Sequence, residues 1–306
     1  REPVMPSHTS LPSTSLKLGE LDCWHFIHGQ AQLLIAKQGA QVLSYQVGKD
    51  KPVIWLNEKA QYTHGKGIRT GVPICWPWFG NLALNPPSVQ AMRVSAEPAT
   101  AHGLVRTREW ELHDYDDAGE ALHIALRLPQ VEGGLPGWPH DVTLTLHIRL
   151  DTQLHLNLVS HNRSDTAVSI SQALHSYFAV SDVRQVHVEG VEGLTYIETL
   201  DDWKRVKQSG DLTFSGETDR IYLDTPDTLS IVDPEWERRI TLKSEGSRSA
   251  VIWNPWIDKT ARFNDMAADG WQRMLCIETA NVMDDVITLE PGASHTLGVS
   301  ISANAL

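Results

Sequence analysis

Strict alternation of apolar and polar residues marks several stretches of the chain. In residues 142–150, VTLTLHIRL, every even position is apolar and every odd position is polar. Successive side chains of a strand point to opposite faces, so this pattern predicts a strand with one buried face. The alternation returns in residues 154–160, after the turn-forming pair Asp151-Thr152. The two stretches together therefore predict a β-hairpin.

Further strands are predicted on both sides of this hairpin. Residues 121–129 follow the turn at 116–119, and residues 286–302 form two short strands separated by Pro291-Gly292. Long segments of helical period are missing, as are the strand-helix alternation and glycine-rich phosphate loops of nucleotide-binding α/β proteins. The chain is therefore predicted to be mainly β, and its length favours a large antiparallel sandwich of two sheets.

One domain is the expected organisation. No low-complexity stretch or fixed-period repeat divides the 306 residues. Residues 1–19 begin with a segment rich in Ser, Pro and Thr and are predicted to be flexible. Residues 20–306 are then predicted to form a single β-sandwich domain.

Composition and charge exclude several classes of partner. A hydrophobic share of 41% and a charged share of 21% are typical of a soluble globular protein. The formal net charge of −12 argues against binding to nucleic acid or to an anionic membrane, so an anionic ligand would require a local cluster of cations. No apolar run is long enough to span a bilayer. The three cysteines are widely separated, so we expect a reducing, cytoplasmic setting without disulfides or a zinc site.

Eleven tryptophans make up half of the aromatic residues. Indole faces stack well on the apolar faces of sugars, although most tryptophans in a large β protein fill its core. Trp76, Trp78, Trp253 and Trp256 lie beside Gly, Pro or Asn in predicted loops, where binding residues tend to collect.

An ionisable side chain interrupts the apparent strand SISQALHSYFAV, residues 169–180. Alternation sends Leu174 and Phe178 to one face, while His175 shares the other with small and polar residues. That face suits a groove better than a packed core. An ordinary hydrogen-bonded core or surface histidine is the alternative.

Glu278 interrupts a second apolar run, RMLCIETANV, residues 273–282. It shares a strand face with Met274 and Cys276, whereas Leu275 and Ile277 lie on the other face. A desolvated carboxyl group has a raised pKa, which suits a proton acceptor working near neutral pH. A glutamate at a strand end that reaches solvent is equally compatible with the pattern.

Six motifs in order resemble one known family, the D-hexose-6-phosphate mutarotases or glucose-6-phosphate 1-epimerases of the galactose mutarotase-like superfamily. The resemblance covers about residues 20–302. The motifs are IRTGVPICWPWFG (68–80), AHGLVR (101–106), ALHSYFAVSDV (173–183), TDRIYL (218–223), WNPW (253–256) and DGWQRMLCIETA (269–280). The resemblance implies a β-supersandwich with an open groove on one concave sheet.

The resemblance also implies the catalytic pair. His175 matches the family's general acid and Glu278 its general base. Interconverting the α and β anomers of a hexose requires removal of the C1 hydroxyl proton and protonation of the ring oxygen, so one base and one acid are sufficient. No metal, nucleotide or other cofactor is expected, and the expected partner is a small hexose phosphate.

Four further positions match family residues that bind the substrate. Arg69 and Arg106 match arginines near the sugar phosphate, and paired guanidinium donors suit phosphate oxygens. His102 and Asp219 match residues that could hold sugar hydroxyls, although Asp219 could instead fix the loop of the neighbouring arginine. The family commonly has the sequence Arg-Gly-Gly at this point, and Thr70 replaces the first glycine. If that glycine is needed for a positive φ or for close approach of the phosphate, the threonine would alter the loop.

Three other functions stay open at this point. An aldose 1-epimerase for free sugars would use the same chemistry without a phosphate site. A non-catalytic regulatory protein could bind the sugar phosphate without accelerating anomer exchange. A glycoside hydrolase ranks last, since it normally needs two carboxylates around the scissile bond and the evident partner of Glu278 is a histidine.

Overall fold

The computed structural model of the chain describes residues 15–306. Most of the segment predicted to be flexible, residues 1–14, lies outside the described residues. Residues 15–18 were included in that prediction, yet they form a strand that pairs with residues 21–24. These residues are ordered because a tight turn at residues 19–20 lets the two short stretches form an antiparallel backbone ladder.

Strands dominate the described residues. In chain order the first eleven are β1 (Ser15–Leu18), β2 (Leu21–His28), β3 (Ala31–Ala36), β4 (Gln41–Val47), β5 (Ile74–Cys75), β6 (Glu111–Asp116), β7 (Leu122–Arg127), β8 (Val142–Leu150), β9 (Leu154–Asn162), β10 (Val168–Ile170) and β11 (Gln172–Leu174). The remaining twelve are β12 (Tyr177–Ala179), β13 (His187–Glu189), β14 (Thr195–Glu198), β15 (Lys204–Lys207), β16 (Leu212–Thr213), β17 (Thr218–Leu223), β18 (Thr228–Asp233), β19 (Arg238–Glu245), β20 (Ser249–Asn254), β21 (Met274–Asn281), β22 (Ile287–Leu289) and β23 (Ser294–Ala305).

Helices are short and lie between strands. The α-helices are α1 (Pro87–Gln90) and α2 (Trp256–Ala261), and the 3-10 helices are Leu82–Leu84, Val183–Gln185, Gly270–Arg273 and Met283–Asp285. None of the helices within residues 15–306 has the length and apolar character needed to cross a bilayer.

Two large sheets form the layers of the molecule. One has nine strands in the order β16-β13-β18-β19-β23-β9-β8-β7-β6, and the other has the order β15-β14-β17-β20-β21-β11-β5, with β12 also paired to β21. Strands β1 to β4 form a smaller sheet, and β10 pairs with β22. The ladders between these strands are antiparallel, which confirms the predicted mainly β, two-sheet antiparallel sandwich.

The predicted hairpin of residues 142–160 is present. Strands β8 and β9 pair from Val142 with Asn162 to Leu150 with Leu154. The even-numbered leucines and the isoleucine of β8 are buried, as the alternation indicated. Residues 286–302 differ from the prediction of two short strands, because β23 is 12 residues long and pairs with both β9 and β19.

One hydrophobic core lies between the two large sheets. It contains Leu146 and Leu156 of the nine-stranded sheet and Ile252 and Ile277 of the eight-stranded sheet, all 2% exposed or less. Each such side chain stabilises the fold by about 1.5–3 kcal/mol relative to an exposed position. This core fixes the back of the eight-stranded sheet, whose other face carries the pocket described below. Whether residues 20–306 behave as one domain stays a prediction.

Candidate active site

The predicted strand over residues 169–180 is interrupted at His175. Instead of one strand over residues 169–180, three short strands are formed, and His175 and Ser176 lie between β11 and β12. The Ser176 backbone N donates to the carbonyl of Leu174 at 2.9 Å, a turn of the chain that ends β11. Leu174 and Phe178 still lie in the core, as the alternation predicted. The break leaves the His175 ring facing the pocket rather than a regular strand face.

Glu278 lies on β21, directly across from this break. The register pairs Leu174 with Thr279 on one side and Tyr177 with Cys276 on the other, which places His175 opposite Glu278. The distance from His175 Nε2 to Glu278 Oε1 is 3.2 Å. His175 is 9% exposed and Glu278 is 1% exposed. The predicted division of faces on β21 is confirmed, because Met274 and Cys276 belong to one cluster and Leu275 and Ile277 to another.

Burial shifts both members of this pair toward their neutral forms. Desolvation lowers the pKa of His175 well below its usual value, and the neighbouring His102 adds to the effect. Desolvation raises the pKa of Glu278 well above its usual value, and the negative charge of Asp219 adds to that effect. Burial thus disfavours an isolated charge on either group, so the two are treated as one coupled pair.

His102 is held in a defined tautomer beside His175. Its Nδ1 accepts a hydrogen bond from the Gly80 backbone N at 3.0 Å, so the proton of the neutral ring lies on Nε2. Burial, followed by the charges of Arg106 and Arg69, lowers the pKa of His102 to about 3. The ring stands edge-on to His175 with centroids 5.5 Å apart. His102 therefore stays neutral and can offer an N–H donor to the pocket.

Asp219 lies on β17, opposite Trp253 of β20. Burial raises the pKa of its carboxyl group to about 6, against a lowering effect of the Lys259 charge. The alternative that it fixes the following arginine is not favoured, since Arg220 forms its ion pair with Glu198 at 3.4 Å. The carboxyl group of Asp219 lines the same pocket as His175 and Glu278.

Arg69 reaches the pocket from the loop before β5. Its guanidinium lies 3.9 Å from the centroid of the Phe263 ring, and its Nε is 3.4 Å from Asp265 Oδ1. The buried amide of Asn57 connects both partners, because its Nδ2 donates to the carbonyls of Arg69 at 3.0 Å and Asp265 at 2.8 Å. This bridge holds the Arg69 loop against the segment that follows α2.

Thr70 does not disturb this loop. It has no positive φ, and its fully buried hydroxyl accepts from the Asn57 backbone N at 2.8 Å and donates to the Trp55 carbonyl at 3.1 Å. Thr70 is not among the residues that line the pocket. The departure from the family pattern is therefore accommodated by hydrogen bonds behind the loop, away from the pocket.

Arg106 lies outside the pocket lining, unlike the other predicted binding residues. Its Nη2 donates to the Ala101 carbonyl at 3.0 Å. Its guanidinium rests on Gly67, where an added Cβ would lie only 2.2 Å from Nη1. The charge nevertheless lowers the pKa of both His102 and His175. The structure thus brings five of the six predicted residues together in the pocket lining, and Arg106 is not among them.

The pocket encloses about 380 Å³. The predicted residues that line it are Arg69, His102, His175, Asp219 and Glu278. Lys259, Phe79, Trp203 and Met283 also line it and were not predicted. A cation three residues after WNPW was the available signal for Lys259, and a lone tryptophan in the charged stretch DDWKR was the signal for Trp203.

The four tryptophans predicted to lie in loops have different positions, and the prediction is wrong for Trp253, which lies on β20, and for Trp256, which begins α2. Trp76 and Trp78 are 0% and 1% exposed and belong to the core, so a binding role for them is not supported. Trp256 packs on Trp271 with centroids 4.4 Å apart. Trp253 alone of the four lines the pocket.

A separate group of possible metal ligands lies on the nine-stranded sheet. His187, Glu189 and Asp211 place ligand atoms within 4.8 Å of one another. Arg239 Nη1 already lies 2.6 Å from Glu189 Oε2, so a guanidinium occupies the position of a counter-cation. The group has no part in the pocket lining.

Most of the chain is similar to known proteins. Residues 22–302 match the aldose 1-epimerase family. The chain belongs to this family. A protein of Escherichia coli strain K12 named "Putative glucose-6-phosphate 1-epimerase" is 34% identical over 265 residues, which cover 86% of this chain and 84% of that protein.

Two solved structures show the same architecture. A crystal structure described as "a putative mutarotase" from Salmonella typhimurium matches with a TM-score of 0.84 and 28% identity, covering 95% of this chain and 92% of that chain. A galactose mutarotase-like protein from Clostridium acetobutylicum has a TM-score of 0.70 at 14% identity, covering 94% and 96%. The second likeness shows the fold alone, and together they confirm the galactose mutarotase-like sandwich.

Proposed function

We propose that this protein interconverts the α and β anomers of hexose 6-phosphates, with glucose 6-phosphate as the preferred substrate. The observation that carries the proposal is the His175–Glu278 pair, with 3.2 Å between Nε2 and Oε1, inside a pocket that also presents cationic side chains. A proton acceptor and a proton donor at this separation can address the C1 hydroxyl and the ring oxygen of one pyranose. The name of the Escherichia coli relative supports the same substrate.

The proposed reaction begins from the ion-paired form of the two groups, in which His175 is protonated and Glu278 is ionised. Glu278 removes the proton from the C1 hydroxyl while His175 donates its proton to the ring oxygen O5. The C1–O5 bond breaks and the C1–O1 bond becomes a carbonyl, so an open-chain aldehyde is formed. After rotation about C1–C2, the reverse transfers close the ring as the other anomer. The pair returns to its starting protonation state, so no net proton is consumed.

His102 and Asp219 are proposed to hold the sugar. The Nε2–H of neutral His102 can donate to a substrate oxygen near His175, since the two rings are 5.5 Å apart. Asp219 can accept from a hydroxyl when ionised, and its pKa of about 6 leaves it charged at neutral pH. Its charge also raises the pKa of Glu278 and thereby strengthens the base.

Arg69 and Lys259 are proposed to contact the 6-phosphate. Both line the pocket; Arg69 stacks on the Phe263 ring, and the charge of Lys259 acts on Asp219. A guanidinium and an ammonium supply the local positive charge that a chain of net charge −12 otherwise lacks. Arg106 is proposed to act through its charge on His102 rather than by direct contact.

The decisive experiment follows exchange between the α and β anomers of glucose 6-phosphate by NMR, with and without the protein. We expect clear acceleration over buffer, and a higher kcat/KM for glucose 6-phosphate than for glucose. Equal rates on the two sugars would favour the free-aldose epimerase instead. Binding without acceleration would favour the non-catalytic sugar-phosphate protein.

A cytoplasmic location is part of the proposal. Cys23, Cys75 and Cys276 are buried and unpaired, and free thiols are typical of a reducing compartment. Fractionation of cells that express a tagged full-length protein tests the location, with recovery in the soluble cytoplasmic fraction as the expected result.

A further inference from the structure

One side of the pocket is an apolar wall made of Phe79, Trp203 and Met283. All three line the pocket and pack, partly buried, on one hydrophobic cluster of the eight-stranded sheet. Ile221 and Val251 of that cluster lie beneath the wall and also reach the pocket. The catalytic pair therefore faces a continuous apolar surface that acid–base chemistry does not use.

The backbone of this wall adopts unfavourable conformations. Asp202 and Trp203 have φ angles of 54° and 56°, and Met283 has a φ of 53°. Left-handed conformations at residues other than glycine cost of order 1–3 kcal/mol each and tend to occur at functional sites. Trp203 also lies between exposed neighbours in the hairpin that joins β14 to β15, a poor place for an indole that serves only the core.

An ion pair ties the two halves of the wall together. Arg205 donates from Nη1 and Nη2 to the two carboxylate oxygens of Asp284, at 2.9 Å and 2.7 Å. Asp284 directly follows Met283 and Arg205 lies two residues after Trp203, so the bidentate pair joins the β14–β15 hairpin to the 3-10 helix Met283–Asp285. The wall is thereby held in place at the side of the pocket.

We propose that Phe79, Trp203 and Met283 form a stacking platform for the C–H face of the pyranose ring, with Trp203 as the main contact. A pyranose with equatorial hydroxyls presents its axial C–H groups as a flat apolar face, and a tryptophan ring is its best partner. The polar and charged side chains of the pocket then take the hydroxyls and the phosphate. The platform determines affinity for the closed ring and adds nothing to proton transfer. This inference rests on the proposed function.

The test compares two inert ligands that share the phosphate and differ in the ring. 1,5-Anhydroglucitol 6-phosphate has the pyranose ring without the C1 hydroxyl, and glucitol 6-phosphate is acyclic. Trp203→Ala should weaken binding of the cyclic ligand roughly three- to tenfold by calorimetry, the effect expected for a lost stacking contact. Binding of the acyclic ligand should change less than about twofold, because it presents no flat face to stack.

Matched variants separate stacking from loss of structure. Leu200→Ala removes an exposed apolar side chain of the same hairpin that does not line the pocket, and it should leave both affinities unchanged. Trp203→Phe keeps a ring and should retain most of the affinity for the cyclic ligand. Trp203→Gln also removes the aromatic ring but keeps a longer side chain than alanine. It is used in place of Trp203→Ala if that variant does not fold.

The outcomes are distinguishable from failure of the proposed function. A wild-type protein that neither accelerates anomer exchange nor binds the cyclic ligand removes the proposed function and the platform with it. An active wild type whose Trp203→Ala variant binds the cyclic ligand normally overturns the platform alone. Equal weakening of cyclic and acyclic ligands also overturns it, since the loss would then concern the phosphate or the hairpin.

Discussion

The side chains of His175 and Glu278 meet, with Nε2 and Oε1 3.2 Å apart, because β11 and β12 on either side of His175 both pair with β21. The pairs on both sides of this position are ordinary backbone ladders, Leu174 with Thr279 and Tyr177 with Cys276. The geometry of the proposed acid and base is thus set by the backbone of the eight-stranded sheet. Such placement before the substrate arrives avoids an entropic cost during the reaction.

Removing either member of this pair should abolish most of the activity. His175→Ala and Glu278→Gln are each expected to lower the rate of anomer exchange about 10²–10⁴-fold, the usual contribution of a general acid or base. NMR exchange measurements on glucose 6-phosphate give the rate, and circular dichroism reports the fold. His161→Ala changes an exposed histidine bonded to Ser294 on the other sheet and should be silent. A variant of the pair with nearly wild-type turnover would show that its role is assigned wrongly.

Asp219→Asn should move the acidic limb of the pH–rate profile to lower pH. The ionised Asp219 raises the pKa of Glu278, so a neutral amide lets Glu278 lose its proton at a lower pH. Asp219 itself has a pKa of about 6 and is charged only above that pH. The two profiles of variant and wild type should therefore differ mainly above pH 6. Profiles of kcat/KM between pH 5 and 9 provide the measurement. A shift to higher pH would contradict the electrostatic coupling of the two carboxyl groups.

Substitutions at the cations should separate phosphate binding from sugar binding. Arg69→Ala and Lys259→Met should each raise the KM for glucose 6-phosphate, roughly ten- to a hundredfold for Arg69, because charge-assisted hydrogen bonds are lost. Activity on free glucose should change little. Arg106→Ala is expected to have a smaller effect on this KM, since Arg106 lies outside the pocket lining. If Arg106→Ala raises this KM as much as Arg69→Ala does, Arg106 contacts the phosphate directly, as the sequence resemblance implied.

Gly103→Ala should destabilise the protein and disturb the adjacent His102. Gly103 has a φ of 80°, and an added Cβ would lie 2.0 Å from the Trp76 carbonyl oxygen, so the backbone must move. We expect a loss of about 2–4 kcal/mol in the free energy of unfolding, measured in urea. Gly193→Ala is the matched control, because Gly193 has a φ of 76° with no atom within 4 Å of the added Cβ. That control should cost only about 1 kcal/mol, and equal losses at both sites would contradict the steric argument.

Local pattern was enough to identify many elements of this fold. The two-residue period over 142–150 and 154–160 depends only on neighbouring positions, and it predicted β8, β9 and the buried leucines correctly. The faces of β21 were predicted for the same reason. The six motifs led to His175 and Glu278 through resemblance, and both lie together in the pocket.

What the tertiary structure decided depends on contacts between distant parts of the chain. Periodicity does not show which strands pair, so neither the register that joins His175 to Glu278 nor the break between β11 and β12 could be predicted. Sequence context could not distinguish the core position of Trp76 from the pocket position of Trp253, because burial depends on what packs against a side chain. Likewise Lys259 belongs to the pocket lining and Arg106 does not, since the direction of a side chain is set by its neighbours in space.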